Sequence, residues 1–151
     1  MQRNQRGFSL VELVVAVTVI LILTAIAIPN INQTMESYRL ETSASAIVGK
    51  LMDARINAIK RNRPAWLAIN LAAGSSQVQI ANPAPPPPAA NLGTLELLPR
   101  GLVFVNPPTP AQITFDSLGR IVAPQTVRLQ VVRSGQQKTI TVSPTGKVTV
   151  N

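Results

Sequence analysis

The sequence is 151 residues long, 46% apolar but only 3% aromatic, with 14 basic against 6 acidic side chains and a net charge of +8. It holds no cysteine and no histidine, which excludes a disulfide framework, thiolate chemistry and a Ser-His-Asp triad, and six widely spread acids leave no His/Asp/Glu metal cluster. No catalytic residue, metal or cofactor is therefore expected, and the length suits one small domain plus an anchor, with a core of Val, Ile, Leu and Ala.

The chain opens on MQRNQRG, whose only charges are Arg3, Arg6 and the α-amine. From Phe8 to Ile28 it is apolar, with a single acid, Glu12, and Val14 to Ile28 carries no formal charge. A helix rises about 1.5 Å per residue and the hydrocarbon core of a bilayer is about 30 Å thick. Residues 8–28 are therefore expected to span a membrane, with the basic leader cytoplasmic and the remaining chain on the far side. The competing reading is a secretory signal with Ala25-Ile26-Ala27 as a small-x-small cleavage site. Two features oppose it. A carboxylate at the edge of a membrane helix costs a few kcal/mol and implies a function with a named partner. Helical patterning also resumes after Pro29 instead of stopping at Ala27.

Gly7-Phe8-Ser9-Leu10-Val11-Glu12-Leu13, followed by an apolar run and Pro29, resembles the N-terminus of type IV pilins and type II secretion pseudopilins. The resemblance implies that a prepilin peptidase cuts between Gly7 and Phe8 and that the new amine of Phe8 is N-methylated. It further implies a single-pass protein of the bacterial inner membrane, with its C-terminal domain periplasmic, that joins other pilin-type subunits in a filament. The residues fit that chemistry. Cutting removes Arg3 and Arg6 and creates a cation at Phe8. A Glu12 carboxylate and a Phe8 ammonium cannot both sit unpaired in lipid, so stacking one subunit's Glu12 on a neighbour's amine neutralises both. Glu12 is accordingly expected to be an assembly residue.

Residues 29–63 are expected to continue as an amphipathic helix, bent or loosened at Pro29. Ala44, Ile47, Val48, Leu51, Ala54, Ala58 and Ile59 recur at steps of three and four and form the packing stripe, with Gly49, Asp53, Asn57 and Lys60 on the other side. Arg55, Lys60, Arg61 and Arg63 gather near the end, where cations suit the helix dipole. Pro64 ends the run. From Phe8 to Arg61 such a helix measures roughly 80 Å, too long for a small domain, so half of it must lie in a membrane or a filament core.

Residues 64–151 read as an antiparallel β domain. Ala65–Leu71 and Gln77–Ile80 form a first hairpin about the turn 72–76. Trp66 is read as a core or sheet-edge residue in preference to a ligand platform. Residues 82–93 break the pattern, and the Pro-rich loop 83–88 favours a stiff polyproline connection, with a PxxP ligand as the alternative. Further strands are expected at 95–98, 102–105, 113–115, 120–122, 127–132, 139–142 and 148–150. Asp116-Ser117-Leu118-Gly119 and Ser143-Pro144-Thr145-Gly146 are type I turns with Gly where positive φ is wanted. The fold class is thus α+β, a long N-terminal helix packed on one apolar face of an antiparallel sheet, pilin-like.

ITFDSLGRI followed by TITVSPTGKVTV is also similar to the C-terminal half of the H-subunit pseudopilins of type II secretion and of related minor pilins, through Phe115, Gly119, Gly146 and Lys147. Some members of that group bind DNA through a basic Gly-Arg-x-Arg tail. Here Gly146-Lys147-Val148-Thr149 lacks the second basic residue. From Ser117 onward there are five cations, Arg120, Arg128, Arg133, Lys138 and Lys147, and no acid. They can serve a solvated surface, or meet DNA, lipid headgroups or an acidic partner. The expected function is a structural minor pilin or pseudopilin, with a DNA-binding minor pilin as the alternative. A membrane-anchored enzyme is disfavoured for want of a nucleophile–base pair.

Overall fold

The computed structural model describes residues 8–81, 89–108 and 110–151. The leader with Gly7 and the Pro-rich loop 83–88 lie outside the described residues. The chain divides into two compact units, Met1–Glu36 and Ser37–Asn151.

One helix, α1 (Leu10–Arg61, 52 residues), belongs to both units and is unbroken at position 29. Its end follows from local chemistry. Asn62 takes a left-handed φ of 51°, the Arg63 amide donates to the Ala58 carbonyl at 3.1 Å, and the Asn62 amide donates to Ile59 at 3.2 Å. That pattern is a Schellman cap with Asn in place of Gly, followed by a proline that cannot continue the helix.

In the first unit α1 is apolar and uncovered, with Leu10, Ile20, Leu23 and Ile26 all more than 60% exposed. In the second unit one face is closed. Leu40, Ala44, Ile47, Leu51, Ala54 and Ala58 are buried at steps of three and four. Ile59, expected in this stripe, is instead 49% exposed, because it falls about 100° around the helix from Ala58.

That face packs on two four-stranded antiparallel sheets, where one sheet was expected. The first has the order β3-β2-β1-β5, with β1 Ala65–Asn70, β2 Ser75–Ile80, β3 Ala90–Leu97 and β5 Gln112–Phe115. The second has the order β4-β6-β7-β8, with β4 Leu102–Val105, β6 Gln125–Val131, β7 Gln137–Val142 and β8 Val148–Val150. The chain crosses from the first sheet to the second at β4, returns for β5 and crosses again for β6. Alternation supplies the core: Ala65, Leu67, Ile113, Phe115, Val127, Leu129, Ile140 and Val142 are all fully buried and point towards α1.

Two further expectations change. Arg120–Val122 is not a strand. The Arg120 amide donates to Asp116 Oδ1 at 2.8 Å and the Ile121 amide to the Pro144 carbonyl at 3.2 Å, so neither is free for a ladder. Trp66 lies on a central strand, half-buried on the outer face of its sheet, and its Nε1 donates to Gln79 Oε1 at 2.9 Å. It is a sheet-face residue, neither core nor edge.

Candidate functional site

The residues of interest fall into three groups: the start of α1, the five late cations and a cluster about Arg55. The first is the start of α1. Phe8 is 82% exposed just ahead of the helix, and Glu12 lies in its first turn. Glu12 is exposed and has no ion-pair partner among the described residues. The polar residues farther along are accommodated within the helix. Thr18 donates its hydroxyl to the Val14 carbonyl at 2.8 Å and Thr24 to Ile20 at 2.7 Å. Each hydroxyl is satisfied by the turn before it, which removes the main penalty for placing a threonine in hydrocarbon. By length and composition this segment can cross a membrane, and none of its most apolar window is buried.

The second group is the set of five late cations, which the fold does not gather on one face. Arg120 pairs with Asp116 at 3.3 Å. Lys138 reaches Glu41 of α1 at 2.9 Å. In register Lys138 lies opposite Leu129 and Arg128 opposite Thr139, so Lys138 shares the buried, helix-facing side while Arg128 points outward. Arg133 sits in the β6–β7 turn and Lys147 in the β7–β8 turn. Two of the five, Arg120 and Lys138, are thus paired with acids, and adjacent strands send Lys138 and Arg128 in opposite directions.

The third group was not legible as a site. Arg55, read as a dipole cation, is half-buried and bridges two turns. Its Nε donates to the Gly119 carbonyl at 3.1 Å and its Nη2 to the Thr145 carbonyl at 3.2 Å. Both turns close against it. A Cβ on Gly119 would stand 2.6 Å from Ile59 Cδ1, and one on Gly146 would run into the Gly119 carbonyl and stand 2.8 Å from Arg55 Nε. Both glycines also have positive φ, 73° and 77°. The signal in the sequence was the pair of turn glycines, each of which ends a turn that has no room for a side chain.

The first of those turns is fixed from within as well. Asp116 Oδ1 accepts the amides of Leu118 at 2.9 Å and Arg120 at 2.8 Å. The Arg120 amide bond is the main reason the Asp116 carboxyl is held below its usual value of 3.8. Partial desolvation opposes that shift, and the Leu118 amide and the Arg120 guanidinium add to it. Other helix side chains hold the rest of the sheets. Ser37 donates to Gln136 Oε1 at 3.0 Å, and Lys50 donates to the Thr94 carbonyl with Glu96 3.8 Å away. Among the described residues no group of three His, Cys, Asp or Glu side chains could hold a metal ion.

Comparison with known proteins gives two family matches. Residues 2–28 match the prokaryotic N-terminal methylation motif, and residues 43–146 match the type II transport protein GspH. No curated protein matches the sequence. Among solved structures, the minor pseudopilin EpsH from the type 2 secretion system of Vibrio cholerae superposes with a TM-score of 0.61 at 15% identity, over 75% of this chain and 96% of that one. The type IV minor pilin FimU of Pseudomonas aeruginosa superposes with a TM-score of 0.59 at 18% identity, over 77% of this chain and 90% of that one. At these identities the structural likeness speaks for the fold.

Proposed function

The chain belongs to the GspH family of type II transport proteins, and on that premise we propose that it is a minor pilin-type subunit, a structural component of a type II secretion pseudopilus or a type IV pilus. It enters the inner membrane through α1 with residues 37–151 in the periplasm. A prepilin peptidase removes Met1–Gly7, the amine of Phe8 is methylated, and the subunit moves into a filament with other pilin-type chains. Glu12 meets the Phe8 amine of a neighbour during that step, since neither charge is stable alone in lipid. The observation that carries this reading is a single helix with two environments: one part buried on the sheets from Leu40 to Ala58, the other apolar and bare from Leu10 to Ile31.

The test is the mass of the chain recovered from membranes of a host that has the peptidase. The expected product begins at a monomethylated Phe8. A product that keeps Met1–Gly7, or one cut after Ala27 and released, overturns the proposal. Glu12→Ala is expected to be cut and inserted normally yet to enter filaments poorly, scored by the amount sheared from cells together with the major subunit. Incorporation at the wild-type level removes Glu12 from this role.

A further inference from the structure

We propose that the outer face of the first sheet, centred on Trp66 and the amides of Gln77 and Gln79, binds a neutral β-linked glycan chain. The site lies on the globular unit and uses neither Phe8 nor Glu12, so it goes beyond the assembly role proposed above.

Trp66 is poorly explained as a packing residue. It is the only tryptophan in the chain, and it is half-buried on the face turned away from the core. Across the strands its neighbours are Gln79 and Thr114. Two places along on the same face is Ala68. Two polar groups and a methyl give a large indole little apolar cover. An aromatic ring in that state suits a ligand when a few polar groups converge beside it.

The neighbouring strands supply those groups. The Trp66 indole donates to Gln79 Oε1 at 2.9 Å, and Gln79 Nε2 donates to Asn91 Oδ1 at 2.9 Å. An indole N–H can only donate, so this relay across β1, β2 and β3 has one direction and orients both amides. Gln77, the next outward position on β2, makes no hydrogen bond among the described residues. Beside Gln79 the face sinks into an open depression of about 240 Å³, bordered by Ala68, Asn70, Ser75, Gln77 and Leu95. β1 is held between β2 and β5, so ring and amides are in place before a ligand arrives, which lowers the entropy lost on binding.

Charge selects the class of ligand. The chain carries +8, yet the strands AWLAIN, SSQVQI and QITF hold no acid and no base. The one acid of β3, Glu96, lies opposite buried Ser76 on the helix side, 3.8 Å from Lys50. A nucleic acid, an anionic lipid or an acidic peptide finds no counter-charge on this face. A wholly apolar partner would bury the Gln77 amide unpaired. A pyranose matches both parts of the surface. Its C–H face is apolar and stacks on an aromatic ring, while each hydroxyl on its rim both donates and accepts. A primary amide holds an acceptor and two donors in one plane, and so engages two adjacent hydroxyls. From Trp66 to Asn70 the face runs roughly 13 Å along the strand, longer than one sugar ring. It therefore takes a chain of rings, and β linkage keeps such a chain extended.

The experiment uses the full chain in a detergent without a sugar headgroup. Trp66 is the only tryptophan, so its emission reports on this face alone. Cellotetraose and chitotetraose are the probes; both are neutral and β-linked, and the second adds acetamido groups. A saturable change in emission is expected with at least one of them. Half-saturation is expected at about 1 mM or below, as one stacked ring and a few hydrogen bonds imply once ordering is counted. Gln77→Ala is expected to melt like the wild type and to bind about fivefold more weakly, the loss of one hydrogen bond. Arg128→Ala, on the outer face of the second sheet, is expected to bind as the wild type does. No saturable change up to about 10 mM of either probe overturns the proposal. So does undiminished binding by Gln77→Ala, or an equal loss in Arg128→Ala. A chain that runs as a dimer with Trp66 shielded from acrylamide also overturns it, since a second copy then occupies the face. A failed titration leaves the filament reading standing, because processing at Phe8 and incorporation of Glu12→Ala are scored separately. A chain that is never processed sinks that reading and leaves the glycan face untouched.

Discussion

Asp116 shows how much one exposed carboxylate can organise. Its Oδ1 takes two amides of its own turn and its Oδ2 takes the Arg120 guanidinium at 3.3 Å. These bonds favour the ionised form and hold its pKa below the usual 3.8. A depressed folded value means that the stabilisation is complete above the unfolded value and is lost as pH falls through the folded one. Wild-type protein is therefore expected to lose stability on acidification below about pH 4 more steeply than Asp116→Asn, whose neutral oxygen still accepts amides but does not titrate. Urea midpoints of the two proteins at neutral pH and at acid pH measure the difference, and parallel pH profiles would remove Asp116 from the account. This pairing was present in the sequence as an Asp-x-x-x-Arg spacing. It was hidden because Arg120 read equally well as one of five cations on a basic surface, and only the turn shows which acid claims it.

Elements meet at glycines whose tolerance differs, and that difference is measurable. Gly135 and Gly146 both end hairpin turns with positive φ, 73° and 77°. Around Gly135 there is room, with the nearest atom to an added Cβ 3.9 Å away, whereas Gly146 backs onto the Gly119 carbonyl and Arg55. Gly135→Ala is expected to lose about 1 kcal/mol for its backbone conformation alone. Gly146→Ala adds a clash with main chain that has nowhere to go and is expected to lose about 3 kcal/mol. Thermal melts of the two variants rank them, and equal losses would mean that the Arg55 clamp yields. At this scale the sequence was informative where local chemistry decides: the end of α1 at Asn62 and Pro64, the first hairpin, and the turns at 116–119 and 143–146. It was uninformative where distant partners decide. Which strands pair is set by the crossings into β4 and β5, so eight strands in two sheets read as one. The strand at Ala90–Leu97 begins directly after the proline run, and its burial alternates poorly because it is an edge, so its first residues looked like part of the break.

One helix carries both an exposed apolar stretch and a buried face, and among the described residues the buried hydrophobic core lies in one unit. Among the described residues every buried hydrophobic side chain lies at or beyond Leu40, inside the unit that begins at Ser37. That half the helix must leave the domain was already readable, because 52 residues at about 1.5 Å each exceed any small fold; which residues stay was set by packing against the sheets. Removing everything before Ser37 should therefore take away none of these buried hydrophobic side chains, and it leaves a serine, a good N-cap, at the new helix start. The Ser37–Asn151 fragment is expected to be water-soluble and cooperative, melting within a few degrees of the full chain in detergent, since roughly 1 kcal/mol moves a domain of this size by about 4 °C. The full chain is expected to resist alkaline extraction from membranes. The apolar side chains from Leu10 to Ile31 are exposed and gain roughly 25 cal/mol for each Å² taken out of water. A fragment that aggregates or melts without cooperativity would show that the first 36 residues help to build the domain, and the division of labour between anchor and head would have to be drawn elsewhere along α1.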